Sequence, residues 1–369
     1  MKKVTLGDVC NKAGSNIAQK DLQGNEGKYP IYGASGLIKK VDFYQQELPY
    51  IAVVKDGAGI GRTMLLPGHS SVIGTVQYIL PINRETVDLK YLYYAIVHMN
   101  LSKYFSGATI PHIYFKDYKK EPLRLPELEK QREIARVFQR IDELIAKREQ
   151  QLKELDELVK SRFIELFGDP VSNPFGFEKQ ILKNTCKVIT GNTPSRAVGE
   201  YYGDYIEWIK TDNIVTGLLN PTKATEYLSE KGVKAGRTVE KNSILMACIA
   251  GSIDSIGRVC ITNRTVSFNQ QINALVPQKY NVLFLYVLLQ ISKGYLVKDI
   301  NMALKGILSK SRLERKKFIV PPIELQNPFA DFVAHVDKSK YYNFTSYKYC
   351  VLAANLIRQE WMLCQTLSF

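Results

Sequence analysis

Between Pro126 and Gly168 the chain carries neither proline nor glycine, and its apolar residues recur at alternating intervals of four and three. Ile134, Phe138, Ile141, Ile145, Leu152, Leu155, Val159 and Leu166 form the series, Arg148 and Arg162 stand on its two missing steps, and Val137, Leu144 and Leu158 widen the seam. This spacing predicts one long helix with a coiled-coil stripe. Pro126 suits the first turn, Glu127 and Glu129 complement the helix dipole there, and Gly168 followed by Pro170 is a stop signal. At 1.5 Å per residue, roughly forty residues make a rod about 60 Å long. Its other faces are too densely charged for burial inside one domain, so the rod separates what flanks it.

The flanks are written differently. In residues 1–125 short β-rich runs alternate with glycine turns: Tyr29–Gly36, Tyr50–Val54, Met64–Leu66 and Val72–Pro81 are predicted strands of a mixed sheet, and Leu89–His98 and Leu101–Phe105 are predicted helices. The same grammar returns after the rod. Lys3-Val4-Thr5-Leu6 with Cys10 reappears about 176 positions later as Lys179-Gln180-Ile181-Leu182 with Cys186. Ile60-Gly61-Arg62 reappears as Ile256-Gly257-Arg258 and Leu92-Tyr93 as Leu285-Tyr286. Pro126, Leu128, Gln131, Ala135 and Asp142 are echoed by Pro321, Ile323, Gln326, Ala330 and Asp337. A run of matches at nearly constant offset is a duplication. The growth of the offset implies about twenty extra residues in the second copy, around Asn213–Gly232. The predicted order is globular unit, helix, globular unit, helix.

Charge sharpens this picture. The net charge is +14; residues 1–125 carry 16 basic and 10 acidic side chains, the rod 9 and 10, and the remainder 25 and 16. Two basic bodies on a neutral spacer suit a polyanion gripped at two places, and nucleic acid is the commonest such partner. The six cysteines form no CxxC pair and no zinc-ligand cluster with the four histidines, so they read as buried thiols in a reducing compartment. No signal-peptide core follows Met1, and the longest apolar run, Val282–Leu289, is too short to span a bilayer; a cytoplasmic protein without membrane contact is expected.

Taken together, the phrases Tyr29-Pro-Ile-Tyr-Gly-Ala-Ser-Gly36, Pro126–Asp142, Glu165-Leu-Phe-Gly-Asp-Pro170, Trp208-Ile-Lys-Thr-Asp-Asn213 and Pro321-Pro-Ile-Glu-Leu-Gln326, in this order on a duplicated plan, resemble the DNA-specificity subunits of type I restriction-modification systems. The resemblance covers about residues 1–340. It implies an α+β fold in which two mixed α/β target-recognition domains, 1–125 and 169–320, are separated by long antiparallel coiled-coil spacer helices, 126–168 and 321–369, with a pseudo-twofold internal repeat. It further implies that each domain reads half of a bipartite double-stranded DNA target, while the helices set the gap and dock two modification subunits. Those subunits would hold S-adenosylmethionine and methylate a flipped-out adenine; two restriction subunits would add cleavage dependent on ATP and Mg. No cofactor is expected on this chain. The competing expectation is a stand-alone DNA-binding regulator that dimerises through the rod. After Lys340 the sequence departs from the plan: Tyr341–Cys350 has an aromatic start of low helix propensity and no heptad seam, which leaves a short helix over Val351–Leu363.

No catalytic machinery is expected here. Asn173-Pro174-Phe175 lacks the second proline of a methyltransferase Asn-Pro-Pro-aromatic motif and reads as a turn. Gly57–Thr63 superficially suggests a phosphate loop, but Arg62 replaces the lysine and the glycine spacing is one short, so it reads as a turn between two strands. Sequence readout needs donors and acceptors at base edges, with cations on phosphates holding the register. In the first unit the candidates are Lys39, Lys40, Lys55, Arg62, His69, Ser70 and Gln77; in the second they are Lys210, Asn213, Arg237, Arg258, Asn269, Gln270 and Lys305. Each also reads as an ordinary solvated loop side chain. The many tyrosines read as core filler.

Overall fold

Every residue of the strand Tyr50–Val54 is buried, because this β-branched and aromatic run is covered on both faces. It lies within an antiparallel sheet ordered Cys10–Gly14, Val76–Pro81, Tyr50–Val54, Thr63–Leu66. Alternation sorts the side chains: Ile51, Val53 and Ile79 pack with Tyr91, Leu92 and Ala95 of the helix Leu89–His98, while Tyr50, Ala52, Val54 and Tyr78 pack with Val72 and Val76 on the other face. Beyond that face a second sheet runs Gly36–Val41, Tyr29–Gly33, Ser71–Val72, the last two strands parallel. A ribbon of Lys2–Thr5 against Pro122–Leu125 brings the ends of this body together. The segment Tyr29–Gly36, read as one strand, is thus a strand, a tight turn and the start of another, with Gly36 at φ 115°. Leu101–Tyr104 is a 3-10 turn. Gly57–Arg62 connects two antiparallel strands, as expected; a Cβ on Gly61 would sit 2.7 Å from the Ser102 amide nitrogen.

This computed structural model describes residues 2–107, 110–298, 300, 301 and 306–366, and the chain divides into two units, Met1–Lys147 with Ser346–Phe369 and Arg148–Thr345. Inside the second unit the same strand order recurs: Cys186–Thr190, Ile272–Pro277, Ile244–Ala247, Val259–Ile261 in one antiparallel sheet. The companion sheet runs Tyr227–Leu228, Tyr202–Ile209, Val266–Phe268, Thr238–Val239, again with one parallel pair, Tyr202–Ile209 beside Val266–Phe268. Lys179–Ile181 pairs with Lys317–Ile319, and the apolar run near Val282 forms the helix Val282–Ile291, with Phe284–Leu289 buried. The extra residues lie where the offset places them. Unit 1 joins its first two outer-sheet strands by a two-residue turn, whereas unit 2 inserts residues 210–226 before Tyr227–Leu228.

The central helix is Leu128–Phe167, 40 residues. Its first half packs into unit 1 through Ala135 and Phe138, both buried, with Ile134 and Ile141 half-buried beside them. Its second half enters unit 2 through Phe163 and Phe167, at 0% and 1% exposure. The seam therefore differs from the predicted one. Phe163 takes the step assigned to Arg162, which turns outward to Glu165, and Val137, Leu144 and Leu158 are about half exposed rather than widening a buried stripe. Phe163 has no polar alternative in this environment: it lies 5.4 Å from Phe284 and 5.5 Å from Phe329 between ring centroids.

A second helix, Ile323–Thr366, runs without a break through Tyr341–Cys350, where low propensity predicted none. Tertiary contacts override propensity. Within unit 2, Lys340 Nζ lies 2.7 Å from Asp156 and Arg148 donates to Asn343 Oδ1 at 3.0 Å. Within unit 1, Arg358 pairs with Asp142, and Trp361 stands edge-on to Phe138, His98 and Tyr91 at centroid distances of 5.3, 5.6 and 5.8 Å. In each unit the later residue of one helix meets the earlier residue of the other, so the paired segments are antiparallel. Both helices begin on the same device. Gln131, fully buried, accepts the Asp88 N–H at 2.9 Å and donates to the Thr86 and Pro126 carbonyls; Gln326, fully buried, accepts the Asn281 N–H at 2.9 Å and donates to the Lys279 and Pro321 carbonyls. Of the cysteines, Cys10, Cys186, Cys248 and Cys260 are buried, which pushes each thiol up to about 12, while Cys350 is half-buried.

Candidate nucleic-acid interface

In unit 1 the polar candidates divide by burial. Lys40 and Arg62 are exposed; Arg62 sits on the turn before Thr63–Leu66 and donates to the Ala34 carbonyl at 2.9 Å. Lys39 is half-buried and caps the Leu22 carbonyl at 3.2 Å, and Lys55 lies 3.2 Å from Asp56. His69, exposed at φ 51°, stacks among Tyr29 and Tyr44, its ring 4.8 Å from that of Tyr44. Ser70 and Gln77 are corrections. Ser70 is fully buried against Tyr50 Oη and the Pro67 carbonyl, and Gln77, 3% exposed, donates to Tyr118 Oη at 2.6 Å. Their polar groups satisfy the interior and do not face outward.

Unit 2 shows the same division. Arg237 is exposed, with its guanidinium on the Thr190 carbonyl at 2.6 Å and no carboxylate partner among the described residues. Arg258, half-buried, bonds Ser255. Lys210 pairs with Glu226 and lies 5.2 Å from the Trp208 ring centroid; its hydrogen bond holds the Glu226 carboxyl below its ordinary range. Asn213 is 7% exposed: its Oδ1 accepts the Lys210 N–H, and its Nδ2 donates to Thr222 and to the Lys223 carbonyl. Asn269, 6% exposed, is likewise held by Gln271. Both are therefore braces of the surface rather than readers of it. Gln270, between Asn269 and Gln271, is exposed. Lys305 lies outside the described residues.

A further ion pair, Glu207 with Arg264, braces the inserted segment beside those of Glu226 with Lys210 and Arg196. Glu207, whose side chain is 12% exposed, bonds Arg264 and accepts the Ala224 N–H at 2.8 Å. The Arg264 hydrogen bond holds its carboxyl below the ordinary 4.5. A carboxylate lowered in the fold adds stability that is complete above about pH 4.5 and is lost as pH falls through the folded value. Acid unfolding followed at Trp208 is expected to be less steep in that window for Glu207→Gln than for the parent chain. An identical acid limb in both would show that the pair does not anchor the segment.

A loop absent from the sequence-derived candidates completes the surface. Gly191–Arg196 follows the strand Cys186–Thr190 of unit 2 and is pinned from several sides: Trp208 Nε1 donates to the Asn192 carbonyl at 3.2 Å, Tyr202 Oη to the Pro194 carbonyl at 2.7 Å, and Asn192 Nδ2 to the Ala235 carbonyl at 2.7 Å. Only glycine fits at 191, where a Cβ would lie 2.1 Å from the Asn269 carbonyl oxygen. On this loop Thr193 bonds Gln270, and Arg196 lies 4.3 Å over the Tyr202 ring. The matching loop of unit 1 carries Asn16, which accepts from Gln45 Nε2 at 3.2 Å, both side chains exposed. Gly-Asn-Thr-Pro signals a turn; nothing in that string identifies a surface. Exposed amides and hydroxyls on braced loops, flanked by cations, suit contacts to base edges and phosphates.

The family model described as Type I restriction modification DNA specificity domain matches residues 1–157 and 174–342. The HindI specificity subunit of Haemophilus influenzae is 32% identical over 120 residues, 32% of this chain and 25% of that protein. The MjaVIII specificity subunit of Methanocaldococcus jannaschii is 27% identical over 131 residues, 35% of this chain and 30% of that protein. The chain thus spans between a quarter and a third of the curated relatives it matches. The crystal structure of a type I restriction-modification S subunit from M. genitalium has a similar fold, with TM-score 0.66, 16% identity, and coverage of 97% of this chain and 94% of that one. A chain from structures addressing complex assembly and conformational transition of a type I system gives TM-score 0.54 at 16% identity, covering 97% and 96%. With both halves matched by the family model, the chain belongs to the type I restriction modification DNA specificity domain family.

Proposed function

We propose that this chain is the DNA-specificity subunit of a type I restriction-modification complex, whose domains 1–125 and 169–320 each read one half of a bipartite double-stranded DNA target. The observation that carries the reading is the recurrence of one strand order in both units, each with a loop after the first strand of that sheet that presents exposed polar side chains, Asn16 in unit 1 and Thr193 and Arg196 in unit 2. Helices 126–168 and 321–369 act as antiparallel coiled-coil spacers related by a pseudo-twofold; the opposed contacts within each unit, Lys340 with Asp156 and Arg358 with Asp142, support that role. The chain contributes recognition and no catalytic group. Two modification subunits, docked on the helices, supply S-adenosylmethionine and transfer methyl to a flipped adenine, and two restriction subunits supply ATP- and Mg-dependent cleavage. The assembly acts in the cytoplasm; among the described residues no helix is long and apolar enough to cross a membrane. A stand-alone regulator is not favoured by a family match over both halves.

Methylome sequencing of cells carrying the chain and its methyltransferase, against cells lacking the chain, is expected to reveal a new two-part motif with a fixed gap. Changing the spacer length should change the gap and leave the half-sites alone. A methyltransferase that is active but yields no chain-dependent motif would refute the assignment.

A further inference from the structure

We infer that Gln270, oriented by Thr193, reads an adenine in the half-site recognised by unit 2. The inference rests on the proposed reading of one half-site by this unit and goes beyond it by naming the reader and the base. A glutamine side chain recognises adenine through two bonds, its Oε1 accepting from N6 and its Nε2 donating to N7. Both groups must face the base in a fixed order, and an ordinary exposed glutamine rotates freely.

Gln270 is exposed but tethered. The Thr193 hydroxyl donates to its Oε1, which holds the amide at one end and leaves the second lone pair of that oxygen and both Nε2 hydrogens available. The backbone beneath it is held as well. Asn269 is buried, accepts the Gln271 N–H at 3.1 Å, and donates to Gln271 Oε1 at 3.2 Å. Thr193 is equally braced, since the carbonyls on either side of it, of Asn192 and Pro194, accept from Trp208 and Tyr202. The closure at Gly191 locks one loop onto the carbonyl oxygens of Phe268 and Asn269, at the start of the other. Such bracing of an exposed neutral amide adds nothing to a core.

Two arginines lie beside this loop. Arg237 is anchored two residues before this loop's Asn192, on the Thr190 carbonyl, and Arg196, which pairs with Glu226, lies 4.3 and 5.2 Å from the Tyr202 and Trp208 ring centroids. Held cations near a neutral donor and acceptor pair match the division of labour at a duplex, phosphates for register and a base edge for sequence.

The test uses the assembled complex of this chain with its methyltransferase and compares methylated motifs for the parent chain, Gln270→Ala and Gln270→Glu. Gln270→Ala is expected to relax one position of one half-site, lowering its preference for adenine by about 10- to 100-fold, with the gap and the other half-site unchanged. Gln270→Glu, which accepts but does not donate, is expected to move that position toward cytosine. A parent bipartite motif that stays identical at every position in both variants overturns the inference while leaving the proposed function intact. Absence of any bipartite motif with the parent chain removes both.

Discussion

Phe163→Ala is expected to lower the stability of unit 2 by about 3–5 kcal/mol, the range for emptying a buried aromatic site. The side chain is fully buried, packed against Phe167, Phe284 and Phe329 at centroid distances of 5.1, 5.4 and 5.5 Å. Three aromatic rings cannot collapse into the void together, because each is held by other partners: Phe284 also stacks on Tyr280, and Phe329 lies beside Phe332. The chain has two tryptophans, Trp208 in unit 2 and Trp361 in unit 1. Urea unfolding read at Trp208 in a Trp361→Phe background is expected to move its midpoint down by roughly 1–2 M. Leu158→Ala, on the exposed side of the same helix, should stay within about 0.5 kcal/mol. Equal effects of the two would mean that the predicted seam, not the observed one, carries the packing.

That contrast marks how far the sequence could be read. The existence and length of the central helix were legible because an apolar period of 3.5 over forty residues free of proline and glycine has few other solutions. Its rotation was not, since Arg162 and Phe163 are both one turn from Val159 and only the aromatic wall of unit 2 chooses between them. The duplication was legible in phrases whose residues have backbone work to do, such as Gly61 and Gly257, both at φ 79°, or Gln131 and Gln326. The continuation of the C-terminal helix past Lys340 was not, because its support comes from Asp142, Phe138 and Asp156, roughly two hundred residues away in sequence. For the candidate surface, exposed cations were readable as such, whereas Ser70, Gln77, Asn213 and Asn269 show that a polar side chain on a predicted loop is as useful inside as outside. Thr193 and Gln270 stand 77 residues apart, and no local pattern joins them.

Gln131→Leu is expected to cost unit 1 about 2–4 kcal/mol, although leucine is close in size and better suited by hydropathy to a buried position. The glutamine satisfies three backbone groups at once: the Asp88 N–H, which begins the helix Leu89–His98, and the carbonyls of Thr86 and Pro126, which precede the two helices it joins. Leucine leaves an orphaned donor and two weakened acceptors in a site with no exposure, at roughly 1–3 kcal/mol for the donor and less for each carbonyl. Gln131→Glu separates hydrogen bonding from shape. Its carboxylate can still accept from Asp88 but faces two carbonyl oxygens, so burial and repulsion raise its folded pKa above the unfolded value of about 4.3. A raised acid binds its proton more tightly when folded, so the variant is expected to be least stable near pH 7 and to recover part of the loss as pH falls toward 4.3. Urea titrations of the parent, Gln131→Leu and Gln131→Glu chains at pH 7 and pH 5, read at Trp361, would show this. If leucine is tolerated and glutamate shows no recovery, the glutamine is filling space rather than fastening the helix to its domain.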